Sequence, residues 1–156
     1  RGKARVAGRA DQSELGRVRL RLGAGYTYIY PYSYGLVPTE VSFRLVAGLN
    51  VDLGAELGLS REEDFGWTLL PAGLAGISYQ FALGDFHPRL GVILRLGVDD
   101  QSGEADEAGL RLGWAGRFGG DIRPRGGRLL VSFDLQAGMY GEPFFVAGTG
   151  GVGLKF

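Results

Sequence analysis

Arg17–Tyr30 reads RVRLRLGAGYTYIY, and its side chains fall into two unlike sets. Val18, Leu20, Leu22, Ala24, Tyr26, Tyr28 and Tyr30 hold the even positions, and Arg17, Arg19, Arg21, Gly23, Gly25 and Thr27 hold odd ones. Successive side chains of an extended strand point to opposite faces, so the segment has one apolar face and one of arginine and glycine. On a helix the same residues would scatter round the circumference, and a run rich in glycine and aromatics makes a poor helix.

The alternation recurs along the chain. Thr39–Ala47 sets Val41, Phe43 and Leu45 against Glu40, Ser42 and Arg44, and Val51–Leu59 sets Val51, Leu53, Ala55, Leu57 and Leu59 against Asp52, Gly54, Glu56 and Gly58. In Gly73–Leu83 the apolar face is Ile77, Tyr79, Phe81 and Leu83, and in Arg89–Asp99 it is Leu90, Val92, Leu94, Leu96 and Val98. Gly109–Phe118, Arg128–Tyr140 and Phe145–Phe156 complete a set of eight strands with no helix. Most are ~9–14 residues long. Gly48-Leu49-Asn50, Asp85–Pro88 and Asp121–Gly127 read as the tighter turns, and Pro31–Pro38, Ser60–Ala72, Asp100–Ala108 and Gly141–Phe144 as the opposite set of loops. The expectation is an all-β, eight-stranded antiparallel up-and-down barrel over 14–156, preceded by a polar tail, 1–13.

Composition narrows the chemistry. At 156 residues the chain suits a single domain. The 17 basic and 17 acidic side chains cancel, so nothing points to nucleic acid. Without cysteine there are no disulfides, thiolate zinc sites or thiol catalysis, and one histidine, His87, cannot make a histidine metal cluster. No cofactor or metal is expected. Glycine is the outlier: 29 residues, mostly single among apolar ones and not in collagen triplets or linkers. No run approaches the ~18 apolar residues of a membrane-crossing helix, and Arg1–Glu14 is too polar for a signal peptide.

Period alone does not say which face is inside. A soluble barrel that binds an apolar ligand turns its apolar face inward, whereas a transmembrane barrel turns it to lipid. Three features favour the membrane. The polar face is mostly glycine and arginine, with Lys3 and Lys155 the only lysines, which is an odd water-facing surface. Aromatics cluster near strand ends: Tyr26, Tyr28 and Tyr30 at one rim, Tyr79, Phe81, Phe118 and Phe156 at the other. The strands also have the length that crosses a bilayer at a tilt.

The ending adds a sharper pattern. Thr149, Gly151, Leu154 and Phe156 place a polar residue, a glycine two on, and hydrophobics at the third-last and last positions. With the alternating strands before it, the chain over Arg17–Phe156 resembles the small eight-stranded outer-membrane barrels of Gram-negative bacteria, of the outer-membrane protein A and X type. The resemblance implies a bacterial outer-membrane location among lipid and lipopolysaccharide, and an assembly signal read by the barrel-assembly machinery. It implies no activity.

The remaining motifs are weighed on context. Gly148-x-Gly150-x-x-Gly153 matches a dinucleotide loop, but such a loop must open a helix and only Leu-Lys-Phe follows. His87 is expected in a solvated turn beside Pro88, without the partners of a triad. Arg17, Arg19, Arg21, Arg89, Arg117, Arg128 and Lys155 are expected to gather inside toward the terminal end, with Asp52 nearest and Asp134 and Glu56 higher. They read as an interior salt-bridge network, or as a positive mouth that draws anions or an acidic partner. Glu62, Glu63, Asp64, Asp99, Asp100, Glu104, Asp106 and Glu107 read as solvated loops without a calcium pattern, and Tyr32, Tyr34, Phe65 and Trp67 as an extension of the upper aromatic belt. The functional expectation is a non-enzymatic anchor, scaffold or envelope-complex subunit; a narrow porin-like pore for ions or small anions is the first alternative, and the soluble apolar-ligand barrel the second.

Overall fold

The alternation is realised as eight strands: β1 (Val18–Ile29), β2 (Tyr32–Val46), β3 (Leu49–Glu62), β4 (Gly66–Gln80), β5 (Phe86–Asp99), β6 (Gly109–Ile122), β7 (Leu129–Tyr140) and β8 (Phe144–Lys155). The computed structural model describes residues 17–29, 32–62, 66–99, 109–124 and 127–156. The tail at 1–13 and the loop residues Glu63, Asp64, Phe65, Asp100, Glu104, Asp106 and Glu107 lie outside these. Each strand pairs antiparallel with the next, and β8 returns to β1 from Arg19–Lys155 to Ile29–Phe145, closing a barrel. Closure satisfies both edges that an open sheet would leave bare.

The start of β1, the end of β8 and the turns after β2, β4 and β6 share one end, called here the terminal end. The turns are tighter than the sequence suggests. Ala47 and Gly48 alone connect β2 to β3, both at positive φ (35° and 93°), beside a register shift between Arg44 and Val46. Between β4 and β5 the turn itself is Gly84 (φ +63°) and Asp85, inside an isolated Leu83–Phe86 bridge, so Phe86, His87 and Pro88 belong to a strand, as does Asp121.

The strands are also longer, 12–15 residues. Most of Pro31–Pro38 and Ser60–Ala72, read as loops, is strand. Proline has no N–H for a ladder. Pro38 pairs with Glu56 on β3, but on its β1 side the pairing jumps from Leu22–Thr39 to Gly25–Leu36. Pro71 pairs with Leu57 on β3, and the β4–β5 ladder begins only at Ala72–Gly97. Each proline sits where its missing donor has no ladder partner to serve.

The apolar faces point outward. Leu22, Leu53, Ile77, Leu94, Leu112, Leu135 and Val152 are all exposed, Leu112 at 63%. Arg19, Arg21, Glu40, Asp52, Arg89, Arg117, Asp121 and Asp134 are buried. A soluble barrel that binds an apolar ligand needs the opposite arrangement, so that alternative is corrected.

The inner side chains form two layers. Toward the loop end, Ile29, Leu36, Leu74, Ile93, Ala115, Tyr140 and Phe145 make one buried apolar cluster. Tyr34, expected in an exposed aromatic belt, is buried in it. Below it, toward the terminal end, lie the charges.

An inward glycine at the closing seam serves a close approach of backbones. A Cβ on Gly151 would stand 2.3 Å from the carbonyl oxygen of Leu22 on β1. The closing seam brings two backbones together more closely than any side chain at that position allows.

Candidate functional site

The most chemically distinctive part of the molecule is the charge network in the terminal half of the lumen. Alternation puts Arg19 and Arg21 of β1, Glu40 of β2, Asp52 of β3, Arg89 of β5, Arg117 and Asp121 of β6 and Asp134 of β7 on the inner wall. A charge there is removed from water and must be met by an opposite charge with its hydrogen bonds made.

The meeting is reciprocal. Arg21 donates from Nε to Oδ1 of Asp121 at 3.0 Å and from Nη2 to Oδ2 at 2.8 Å, and its Nη1 pairs with Glu40. Arg19 donates to Oδ1 of Asn50 at 2.6 Å and lies 3.4 Å from Asp121. Arg89 bridges Glu40 (2.8 Å) and Asp134 (3.0 Å). Arg117 reaches Glu40 (2.6 Å), Asp134 (3.0 Å) and Asp52 (3.4 Å). Gln80 adds a donor to Asp121 at 2.7 Å, and Gln136 one to Asp134 at 2.9 Å. Four guanidinium groups thus face four carboxylates, and the network is formally neutral.

A fifth pair stands apart. Arg95 pairs with Glu56 inside the apolar layer, and its guanidinium carbon lies 5.0 Å from the Tyr140 ring centre and 5.5 Å from that of Phe145. Both rings lie within the range of a cation–π contact. Cavities of about 40 Å³ beside Arg21, Arg89 and Arg117, and about 20 Å³ beside Arg95 and Tyr140, are on the scale of one or a few water molecules.

The expected cluster is therefore divided. Arg19, Arg21, Arg89, Arg117, Asp52 and Asp134 come together. Arg17 and Arg128 do not: both are exposed at the terminal rim, where Lys155 is half-buried. The inner wall simply ends before their side chains reach the carboxylates. The network itself carries no excess of positive charge. Asp121 and Glu40, its two busiest acids, were not in the expected cluster; Asp121 looked like a turn residue in Gly119-Gly120-Asp121, although it shares the odd-numbered face of Arg117. His87 is buried on the inner face of β5, only 2% exposed, and not in a solvated turn.

At the closing strand, Thr149 and Gly151 face the lumen side and are half-buried, while Leu154 and Phe156 are exposed on the outer wall. Tyr26 and Tyr28 mark the loop-end rim outside, and Phe81, Phe86, Phe118 and Phe156 the terminal rim. There Phe133 stacks on Phe86 at 6.3 Å and meets Phe118 edge-on at 6.1 Å. Among the described residues no group of three or more His, Asp or Glu side chains could hold a metal ion.

No family model and no curated protein matches the chain. Solved structures do. The Neisserial surface protein A is 14% identical, with a TM-score of 0.64, over 89% of this chain and 96% of that one. The N-terminal β-barrel domain of Pseudomonas aeruginosa OprF is 14% identical, with a TM-score of 0.54, over 90% of this chain and 99% of that one. These are likenesses of fold, and the closed eight-stranded antiparallel barrel is what they share with the chain.

Proposed function

We propose that the chain is a non-enzymatic integral barrel of a bacterial outer membrane that serves as an anchor, a scaffold or a subunit of an envelope complex, its lumen closed. The observation that carries this reading is the inversion of the two faces: an apolar exterior around an interior network in which four guanidinium groups and four carboxylates pair with one another. Water does not stabilise that exterior, and hydrocarbon does. Strands of 12–15 residues rise about 28–35 Å at a tilt of ~45°, against a hydrocarbon core of ~30 Å. Aromatic side chains at both outer rims sit where lipid headgroups begin. The fold shared with the Neisserial surface protein and OprF barrels supports the same reading. Lipid and lipopolysaccharide would surround such a barrel, and Thr149, Gly151, Leu154 and Phe156 would present its assembly signal to the barrel-assembly machinery.

The pore alternative loses its main support. An anion-selective lumen needs surplus positive charge and a wet passage. The network here is balanced, and an apolar layer lies across the lumen above it. Catalysis likewise finds its arginines and carboxylates engaged with one another.

Reconstitution tests the reading. The full chain should insert into liposomes as a protease-resistant, heat-modifiable species, and give no discrete conductance steps in planar bilayers. A stable folded monomer in detergent-free buffer would overturn the membrane assignment, and steady anion-selective steps would overturn the closed lumen.

A further inference from the structure

The apolar layer has a gap on one side. Among the described residues each of the other strands contributes a buried side chain to it, from Ile29 on β1 round to Phe145 on β8, and β3 contributes none. The inner face of β3 instead carries Asn50, Asp52, Gly54, Glu56 and Gly58, polar or bare over its whole height. Arg95, on β5, pairs with Glu56 inside the layer beside that gap.

The same side of the lumen holds buried polar atoms with no hydrogen-bond partner in the protein. They are Nε2 of His87, Oε1 of Gln80, Nε of Arg89, Oγ of Ser78, Oδ1 of Asp52 and Nε of Arg95, on residues only 0–5% exposed. All belong to β3, β4 or β5. Gln80 commits its amide nitrogen to Asp121 and to the His87 carbonyl, which fixes its remaining end as the oxygen. These atoms also ascend in order. His87 lies at the terminal end, Arg89 pairs with Gln80, and Ser78 is two residues further up β4; Asp52 pairs with Gly76 two residues beyond, and Arg95 with Leu74 after two more. Two residues of a strand span about 6.5–7 Å, near the reach of one water holding two hydrogen bonds of ~2.8 Å.

We propose that a file of bound water runs up the inner faces of β3, β4 and β5, from His87 to the cavity beside Arg95 and Gly58. The ligand class follows from the mixture of free atoms. Oδ1 of Asp52 and Oε1 of Gln80 only accept, Nε of Arg89 and Nε of Arg95 only donate, and the Ser78 hydroxyl does both. A cation would meet the two guanidinium groups, an anion would meet the Asp52 carboxylate, and an apolar chain would satisfy none of the six. Water serves donors and acceptors from one position. Gly54 leaves the inner wall bare where the other strands close it, so the file passes the apolar layer beside Glu56 and Arg95. Each molecule is held between fixed groups, which is compatible with a lumen that passes no ions. The file does not depend on the medium around the outer wall.

The direct test is a crystal structure of the full chain in detergent, at a resolution that shows ordered water. Peaks should lie within about 3.2 Å of Asp52 Oδ1, Ser78 Oγ and Gln80 Oε1. Empty density there overturns the proposal, and so does a peak with oxygen contacts near ~2.4 Å, which would be a metal cation. A second test compares Ser78→Thr with Ser78→Val by urea titration of the refolded protein. The two side chains have the same shape, so crowding by the added methyl group cancels, and only Thr keeps the hydroxyl. The Val variant should unfold about 0.5–1 M earlier, because the displaced water leaves its other partners unmet. Equal midpoints, or a later one for Val, would mean a dry site and sink the file. If neither variant folds, the wild-type density decides.

Discussion

Arg21 and Asp121 meet across the lumen as a fork, two parallel hydrogen bonds of 3.0 and 2.8 Å that join β1 to β6, strands that are not neighbours in the sheet. Removing one buried partner strands the other. Asp121→Asn leaves Arg21 and Arg19 short of a carboxylate and should cost about 3–5 kcal/mol. Asp85→Asn, at an exposed turn, should stay within about 0.5 kcal/mol. Urea titration of the folded band in reconstituted protein compares them, and equal midpoints would show that the fork is not structural.

The two inner layers should be separable. Phe145 is fully buried among Ile29, Ile93 and Tyr140, so Phe145→Ala should cost about 3–5 kcal/mol. Conductance should nevertheless remain at the baseline, because the charge network still fills the lumen below. Channel steps from this variant would mean that the apolar layer is the only seal.

The closing seam gives a steric prediction. Gly151→Ala puts a methyl group 2.3 Å from the Leu22 carbonyl oxygen and 2.7 Å from the Cα of Gly23. A loss of about 2–3 kcal/mol is expected, since backbone on both sides has to move. Gly116→Ala, outward-facing with its nearest neighbour 4.0 Å away, is the matched control and should be close to neutral. Similar melting temperatures for the two variants would contradict the seam geometry.

Phe156 is 58% exposed on the outer wall, so a charge there disturbs little packing. Phe156→Asp should therefore refold in micelles nearly as well as wild type, yet accumulate poorly in outer membranes when expressed in Gram-negative cells. Normal membrane levels would count against Thr149, Gly151, Leu154 and Phe156 as an assembly signal.

Alternation made the strands legible because a two-sided wall forces a period of two on every residue it contains. It failed in the loop-end halves of β2 and β4, where Pro38 and Pro71 looked like loop residues; only the pairing shows that each lies at a gap or end of its ladder. The apolar inner layer was missed for a related reason. Ile93 stands between Val92 and Leu94, and Phe145 between Phe144 and Val146, so both faces are apolar there and the period fades. Such unbroken runs within an alternating strand are the signal that could have found it. The charge cluster was legible as residue types on one face but not as a circuit. Partners such as Arg21 and Asp121 lie a hundred residues apart, and their pairing depends on how far the closed wall brings them round.

That separation bears on how the barrel is made. Arg19, Arg21 and Arg89 draw on Asp121 and Asp134, which arrive only with β6 and β7. A growing sheet of the first five strands would therefore carry more guanidinium than carboxylate on the face that becomes the lumen, and could not enter hydrocarbon flat. Neutralisation and closure are one event, so insertion of this chain into a bilayer is expected to be all-or-none, with no stable half-barrel on the way.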